Sequence, residues 1–299
     1  MRAAPGAAGG LRHAPLRGLL YMVAGVFCIS VMDASAKWLT QRYSPAEIVF
    51  IGRSPALAFT VALALANGGI ATLGTRRLGL QTLRGLFGAG TLVCFILSVR
   101  LLPLADTVAL TFVAPLFMSA LSVPLLGERV EARRWLVIGV GFVGVLTIVQ
   151  PSGAGFGSGA ALALASAFCY AVFNNLARRL STTEPSHSQL FWASLVLILG
   201  AGAIVPFHWA PLEGDDLPAF TLFAVVGTLG QFLLVQALRY AEVSAVAPLE
   251  YSALIWATLF GFLFWSQWPS ATTLAGAAIV AASSIYIIHR EALGAARSS

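Results

Sequence analysis

The sequence predicts an all-α integral membrane protein of ten transmembrane helices arranged as two inverted five-helix repeats. Three observations carry this. Of the 299 residues, 58% are hydrophobic and 10% charged, with a mean hydropathy of +0.85, whereas a soluble domain carries about 25% charged residues. Apolar stretches recur along the whole chain at the length a bilayer core demands, about 20 residues for about 30 Å at a rise of about 1.5 Å each. They also fall as five, a short polar break, and five more.

The first series covers 16–38, 45–66, 82–102, 107–126 and 135–149, and the second covers 159–180, 188–207, 217–238, 245–265 and 272–288. Between them lie short turn-forming linkers such as Asn67-Gly68-Gly69, Pro151-Ser152-Gly153 and Glu213-Gly214-Asp215-Asp216, which mark loops and leave no room for a soluble domain. The expected organisation is a tail over 1–15, a first repeat over 16–150, a second over 151–289 and a tail over 290–299. Ala34-Ser35-Ala36 resembles a signal-peptidase site behind Arg12 and Arg17, but cleavage there would break the five-plus-five series.

With the start of the chain on the cytoplasmic side, alternation places all of the 18 basic residues on that side except Lys37, Arg42, Arg53 and Arg100. The positive-inside rule therefore predicts cytoplasmic termini. A bacterial inner membrane is the expected location. The net charge of +6 is explained by this topology, so nucleic acid is not an expected partner. Cys28, Cys94 and Cys169 sit in separate spans without metal-ligand spacing and read as packing residues. No H-E-x-x-H, G-x-S-x-G or G-x-x-x-x-G-K-[ST] pattern occurs, so neither an enzyme, a bound cofactor or metal, nor ATP hydrolysis is expected.

The repeat is visible where Leu102-Pro103-Leu104-Ala105-Asp106 aligns with Leu238-Arg239-Tyr240-Ala241-Glu242, each leading into a span with an internal proline, Pro115 or Pro248. Leu126-Gly127-Glu128-Arg129 likewise aligns with Trp265-Ser266-Gln267-Trp268. Five spans is an odd number, so the second half enters the membrane from the other side. Inverted repeats of this kind support two alternating conformations around a midplane site, which points to transport. A receptor or scaffold is the non-transport alternative, since fold does not determine function.

At Phe50-Ile51-Gly52-Arg53, Phe112-Val113-Ala114-Pro115-Leu116-Phe117 and Leu126-Gly127-Glu128-Arg129 the chain resembles the EamA-type ten-helix permeases of the drug/metabolite transporter superfamily. Pro248-Leu249-Glu250-Tyr251 with Trp256 resembles their amino-acid exporter branch. The second half departs from the pattern by carrying Ser266-Gln267 in place of the Gly-Glu pair. The resemblance implies a bundle around a central cavity and export of amino acids or similar small metabolites. Uptake of a larger nucleoside-like or vitamin metabolite, or multidrug export, are the alternatives.

Candidate site residues follow from the cost of polar groups in a bilayer, about 2.5 to 3.5 kcal/mol for a charge at a helix centre. Ser30, Asp33 and Lys37 share one face of the first span. Lys37 either receives a substrate carboxylate or pairs with Asp33, and Asp33 is a second choice for proton coupling. Arg53, about 12 Å into the second span, requires an acceptor, either Asp33 or the substrate. Glu250 has no base within a turn and is the first candidate to carry a proton. Thr111 and Pro115, Tyr170 and Asn174, Gln231, Tyr251 and Trp256 are the expected cavity-lining positions, with Thr107 and Ser166 expected to be structural, bonding the preceding helical turn or bridging helices. Pro115 and Pro248 are hinge candidates, because a proline frees a backbone carbonyl. The implied partners are a small-molecule substrate, the lipid bilayer and protons.

Overall fold

The computed structural model describes residues 15–66, 69–127, 132–149, 157–181, 183–241 and 243–298, and every regular element among them is helical. Of the expected tail over 1–15, residues 1–14 lie outside the described residues and Pro15 opens α1. The first half comprises α1 (Pro15–Leu39), α2 (Pro45–Ala66), α3 (Leu78–Leu101), a fourth span broken into α4 (Leu104–Thr111) and α5 (Ala114–Leu126), and α6 (Ala132–Val149). The second comprises α7 (Ser158–Leu180), α8 (Ser186–Ile204), an eighth span of α9 (Leu217–Thr221) and α10 (Gly227–Tyr240) joined by a π-helical turn at Leu222–Val226, a ninth span broken into α11 (Val243–Glu250) and α12 (Ala253–Trp265), and α13 (Ala271–Ser298). Seven segments are long and apolar enough to cross a bilayer, and α6 and α13 carry shorter apolar stretches over Trp135–Val149 and Ala271–Tyr286. With α2, which contains Glu47 and Arg53, these make the ten spans. Helix α13 continues through the segment expected as a tail.

Below, the near face is the one at which α1 begins and the far face is the other. Local chemistry sets the ends of the helices. Ser44 caps α2, its hydroxyl accepting the Glu47 N–H at 3.3 Å, as the Ser-x-x-Glu pattern predicts. Pro103 stops α3 because it has no N–H to offer the turn before it.

The principal seams each join a helix of one half to a helix of the other: α1 with α10, α2 with α8, α3 with α7 and α6 with α13. Glycines let these backbones approach. A Cβ at Gly144 of α6 would stand 2.8 Å from the Gly276 carbonyl oxygen of α13. One at Gly230 of α10 would stand 3.1 Å from the Gly25 carbonyl oxygen of α1. The residues expected to hold helices together do so. Ser98 donates to the Gly159 carbonyl at 2.9 Å and shares a hydroxyl contact with Thr107, and Ser166 donates to the Thr91 carbonyl at 2.8 Å. By contrast, Ala58 and Ala62, which have packing-stripe spacing, are exposed.

The broken spans reveal the repeat most clearly. Helices α4 and α11 each have 8 residues, α5 and α12 each have 13, and two residues separate the members of each pair. Both end in a left-handed residue, Gly127 at φ 72° and Ser266 at φ 52°. This register places Phe112 opposite Tyr251 and Thr111 opposite Glu250. It agrees with the expected pairing of Gly127 with Ser266 but shifts that of Leu102–Asp106 by three residues. Pro115 and Pro248 are consequently not equivalent: Pro115 is the second residue of α5, just after its break, whereas Pro248 lies inside α11, just before the other.

Candidate functional site

The two breaks meet in the interior. Phe112 and Tyr251 contact edge to face, ring centroids 4.8 Å apart at 70°. Ser284 of α13 donates to the Phe112 carbonyl at 3.4 Å, and its hydroxyl also lies beside that of Tyr251. Sequence reading missed Ser284, whose one signal was a pair of serines, Ser283-Ser284, in an apolar helix.

Next to this junction lie Glu250 of α11 and Tyr170 of α7, both in the second half. The Glu250 carboxylate lies within electrostatic reach of both the Tyr170 and Tyr251 hydroxyls. Glu250 is about 10 Å along α11 from the near face and Tyr170 about 15 Å along α7, yet Glu250 is exposed and Tyr170 is 46% exposed. Both groups are thus exposed at mid-depth beside one another. Asn174, one turn nearer the near face, is half-buried and donates to the Tyr170 carbonyl at 2.9 Å.

Toward the far face the same helices close. Ala34 of α1, Val99 of α3, Leu104 and Val108 of α4 and Ala257 of α12 form one buried cluster, with Phe112, Phe260 and Trp265 packed against it. Nearer the near face, Met22, Val26, Ala237 and Val246 join α1, α10 and α11, whereas a further cluster with Leu116, Val145, Ala163 and Val280 joins α5, α6, α7 and α13 and runs from mid-depth toward the far face. The Ala34–Val99–Leu104–Ala257 cluster thus closes the bundle toward the far face.

Lys37 is part of that seal. It is buried, and its ammonium donates to the Val99 carbonyl at 2.8 Å and the Leu102 carbonyl at 2.5 Å, with the Trp265 ring centroid at 5.5 Å. The helical donor for Val99 would be the N–H of residue 103, which is a proline, so Lys37 replaces a hydrogen bond that the sequence removes. Its nearest acid is Asp106, which accepts the Thr273 hydroxyl at 2.8 Å. This node links α1, α3, α4, α12 and α13. Lys37 does not pair with Asp33 and is not among the groups around Glu250. A small cavity of about 160 Å³ lined by Asp106, Leu110, Ile148 and Thr272 lies at the same far end, away from Glu250.

The other predicted residues are placed as follows. Arg53 lies within electrostatic reach of Asp33 without a hydrogen bond between them among the described residues. One guanidinium nitrogen approaches the Met32 sulfur at 3.5 Å, Phe223 of the π-helical turn lies 5.5 Å below, and Nε has no partner. Thr111 bonds its own helix at the Val108 carbonyl, 2.8 Å away. Trp256 packs on Phe27 at 4.9 Å with its indole nitrogen buried and unpartnered. Gln231 is exposed on α10 beside its seam with α1. Arg84, expected at the cytoplasmic edge, is instead buried at the junction of α3, α7 and α8, lying 4.0 Å over Phe173 and donating to the Gln189 carbonyl at 2.8 Å.

At the far face a second tie holds the α1–α2 turn to the loop before α9. Arg42 forms a two-pronged ion pair with Glu213, and the Tyr43 hydroxyl donates to Asp216 at 2.9 Å while accepting the Glu213 N–H at 3.1 Å. Burial pushes the Tyr43 phenol up from its usual pKa, so it remains a donor.

A ten-span bundle with crossed halves and two broken helices meeting at mid-depth defines the class: a membrane transporter. The chain belongs to the EamA-like transporter family, whose model matches residues 16–150 and again 157–289. It is 31% identical over 274 residues to the pseudopaline exporter CntI of Pseudomonas aeruginosa, covering 90% of this chain and 94% of that one. It is 24% identical to an S-adenosylmethionine uptake transporter of Rickettsia felis (92% and 94% covered) and 25% identical to a riboflavin transporter of Rhizobium johnstonii (92% and 91%). One solved crystal structure superimposes with a TM-score of 0.62 at 18% identity, over 92% of this chain and 98% of the other, a likeness of fold.

Proposed function

We propose that the chain is a secondary transporter of the bacterial inner membrane that exports an amino acid or similar small metabolite by alternating access. What supports this is the group of Tyr170, Asn174, Glu250 and Tyr251 at mid-depth, with Glu250 and Tyr170 exposed, and beyond Phe112 the buried Ala34–Val99–Leu104–Ala257 cluster toward the far face. The near face is the cytoplasmic one in this reading. The exposed pairs Arg76-Arg77 and Arg178-Arg179 at helix ends on that face support it. A solute would load from the cytoplasm, and opening the Lys37 node while closing the near side would release it. A relative named as an exporter is consistent with that direction. Glu250 is the first candidate for proton coupling, ahead of Asp33, which has Arg53 beside it. The repeat boundaries near residue 150 and the roles of Pro115 and Pro248 in gating belong to the same reading.

The test is counterflow of radiolabelled solutes into proteoliposomes preloaded with unlabelled solute, against protein-free vesicles. Protein-dependent accumulation of an amino acid supports the assignment. Silence for every amino acid with accumulation of a larger metabolite keeps transport and replaces the substrate class. That second reading, uptake of a nucleoside-like or vitamin metabolite, is favoured by the relatives named for S-adenosylmethionine and riboflavin.

A further inference from the structure

We infer that Glu250 binds a positively charged group of the transported solute, an ammonium or sulfonium, so that the cargo is a cation or carries a cationic end. This rests on the transport reading above and deepens it. The Glu250 side chain is exposed rather than buried in protein, and no Lys or Arg among the described residues pairs with it. The groups around it are Tyr170, Tyr251 and, through Tyr251, Phe112 and Ser284. Every one of these is neutral, and three present aromatic rings.

A carboxylate among aromatic rings is complementary to a cation, since the ring faces and the acid attract positive charge together. An anionic or neutral solute would leave the acid uncompensated in a partly desolvated site. The internal repeat sharpens the argument. The equivalent of Glu250 in the first half is Thr111, whose hydroxyl is spent on the Val108 carbonyl. The fold therefore does not need an acid at this break, and the chain carries one on one side only. A proton and a cationic group are alternative occupants of the same oxygens.

The experiment measures binding rather than flux, so it does not depend on transport. Choline and its uncharged isostere 3,3-dimethylbutan-1-ol, alike in shape and different in charge, are compared by ligand-observed saturation-transfer NMR on the full chain in nanodiscs. The expected result is a preference for choline of about tenfold or more. It should vanish in Glu250→Gln, persist in weakened form in Glu250→Asp, and be unchanged in Glu213→Gln, an acid in the far-face loop. Equal signals from both probes, no signal from either, or choline binding that survives Glu250→Gln in folded protein overturns the inference. Choline binding without counterflow of any solute would instead count against the transport reading and leave the cation site standing.

Discussion

In the alternating-access reading proposed above, replacing Lys37 by methionine should shift the protein toward a state open at the far face. The side chain keeps its length but loses the ammonium that holds the Val99 and Leu102 carbonyls, at 2.8 and 2.5 Å, to α1. Hydrogen bonds from a charged donor contribute about 1.5 to 3 kcal/mol each. The desolvation cost of the ammonium disappears with it, so the net loss is taken as that of one such bond. A bias of about 1.5 to 3 kcal/mol is a shift of about ten- to a hundredfold in the ratio of the two states. The assay is labelling of Val108→Cys, buried in the far-side cluster, by a membrane-impermeant maleimide from the far face in a background with Cys28, Cys94 and Cys169 replaced. Lys37→Met should raise the labelling rate by about tenfold or more, and Lys37→Arg should restore part of the protection. Equal labelling rates with and without Lys37→Met, in proteins that are both monodisperse, would refute the node as a gate and reduce it to a helix cap.

Glu250→Gln should abolish proton-driven flux and weaken solute exchange with it, measured in proteoliposomes with and without an imposed pH gradient; unchanged dependence on the gradient removes Glu250 from proton coupling. Gly144→Val should destabilise the α6–α13 seam by about 1 to 3 kcal/mol, read as a lower thermal midpoint in detergent, because its Cβ would stand 2.8 Å from the Gly276 carbonyl oxygen. Ser266→Gly should stabilise by about 1 kcal/mol, since Ser266 holds φ 52° where the first repeat has Gly127, and a thermal midpoint no higher than that of the parent counts against strain there. Arg42→Ala should change stability by less than about 1 kcal/mol, because its pair with Glu213 is half exposed and screened by solvent; a large drop would show that the far-face tie bears on the fold.

Spans were legible because burial in a bilayer is written into each segment separately: a stretch such as 159–180 must be apolar whatever it packs against, and the structure forms α7 over Ser158–Leu180. The fourth and ninth spans show the limit of that reading. Pro115 signalled an interruption, but not that it would be a tight turn at Phe112 and Val113, and the repeat register was shifted near Asp106 because apolar sequence aligns almost equally well at neighbouring offsets. Gly127 and Ser266 aligned correctly, and they share a backbone conformation that the residue types alone do not suggest. At the site, Tyr170, Asn174, Glu250 and Tyr251 were legible as polar groups costly to hide in lipid. The role of Lys37 was not, because it depends on a carbonyl left bare by Pro103, and the two are brought together only by the packing of α1 on α3. Charge spacing along α1 suggested Asp33 as its neighbour, whereas tertiary packing gives Asp33 the field of Arg53.

The crossed seams also constrain how the chain is made. Helix α6 is complete long before α13, yet its Gly144 surface is shaped for the Gly276 backbone, and α1 waits for α10 in the same way. During synthesis the first five helices must therefore stay in the lipid with glycine-lined faces unmatched, held by weaker neighbours until their partners emerge. A chain interrupted near residue 150 would remain in that unmatched state, a target for membrane quality control, whereas two halves produced together could recover the fold by meeting in the bilayer.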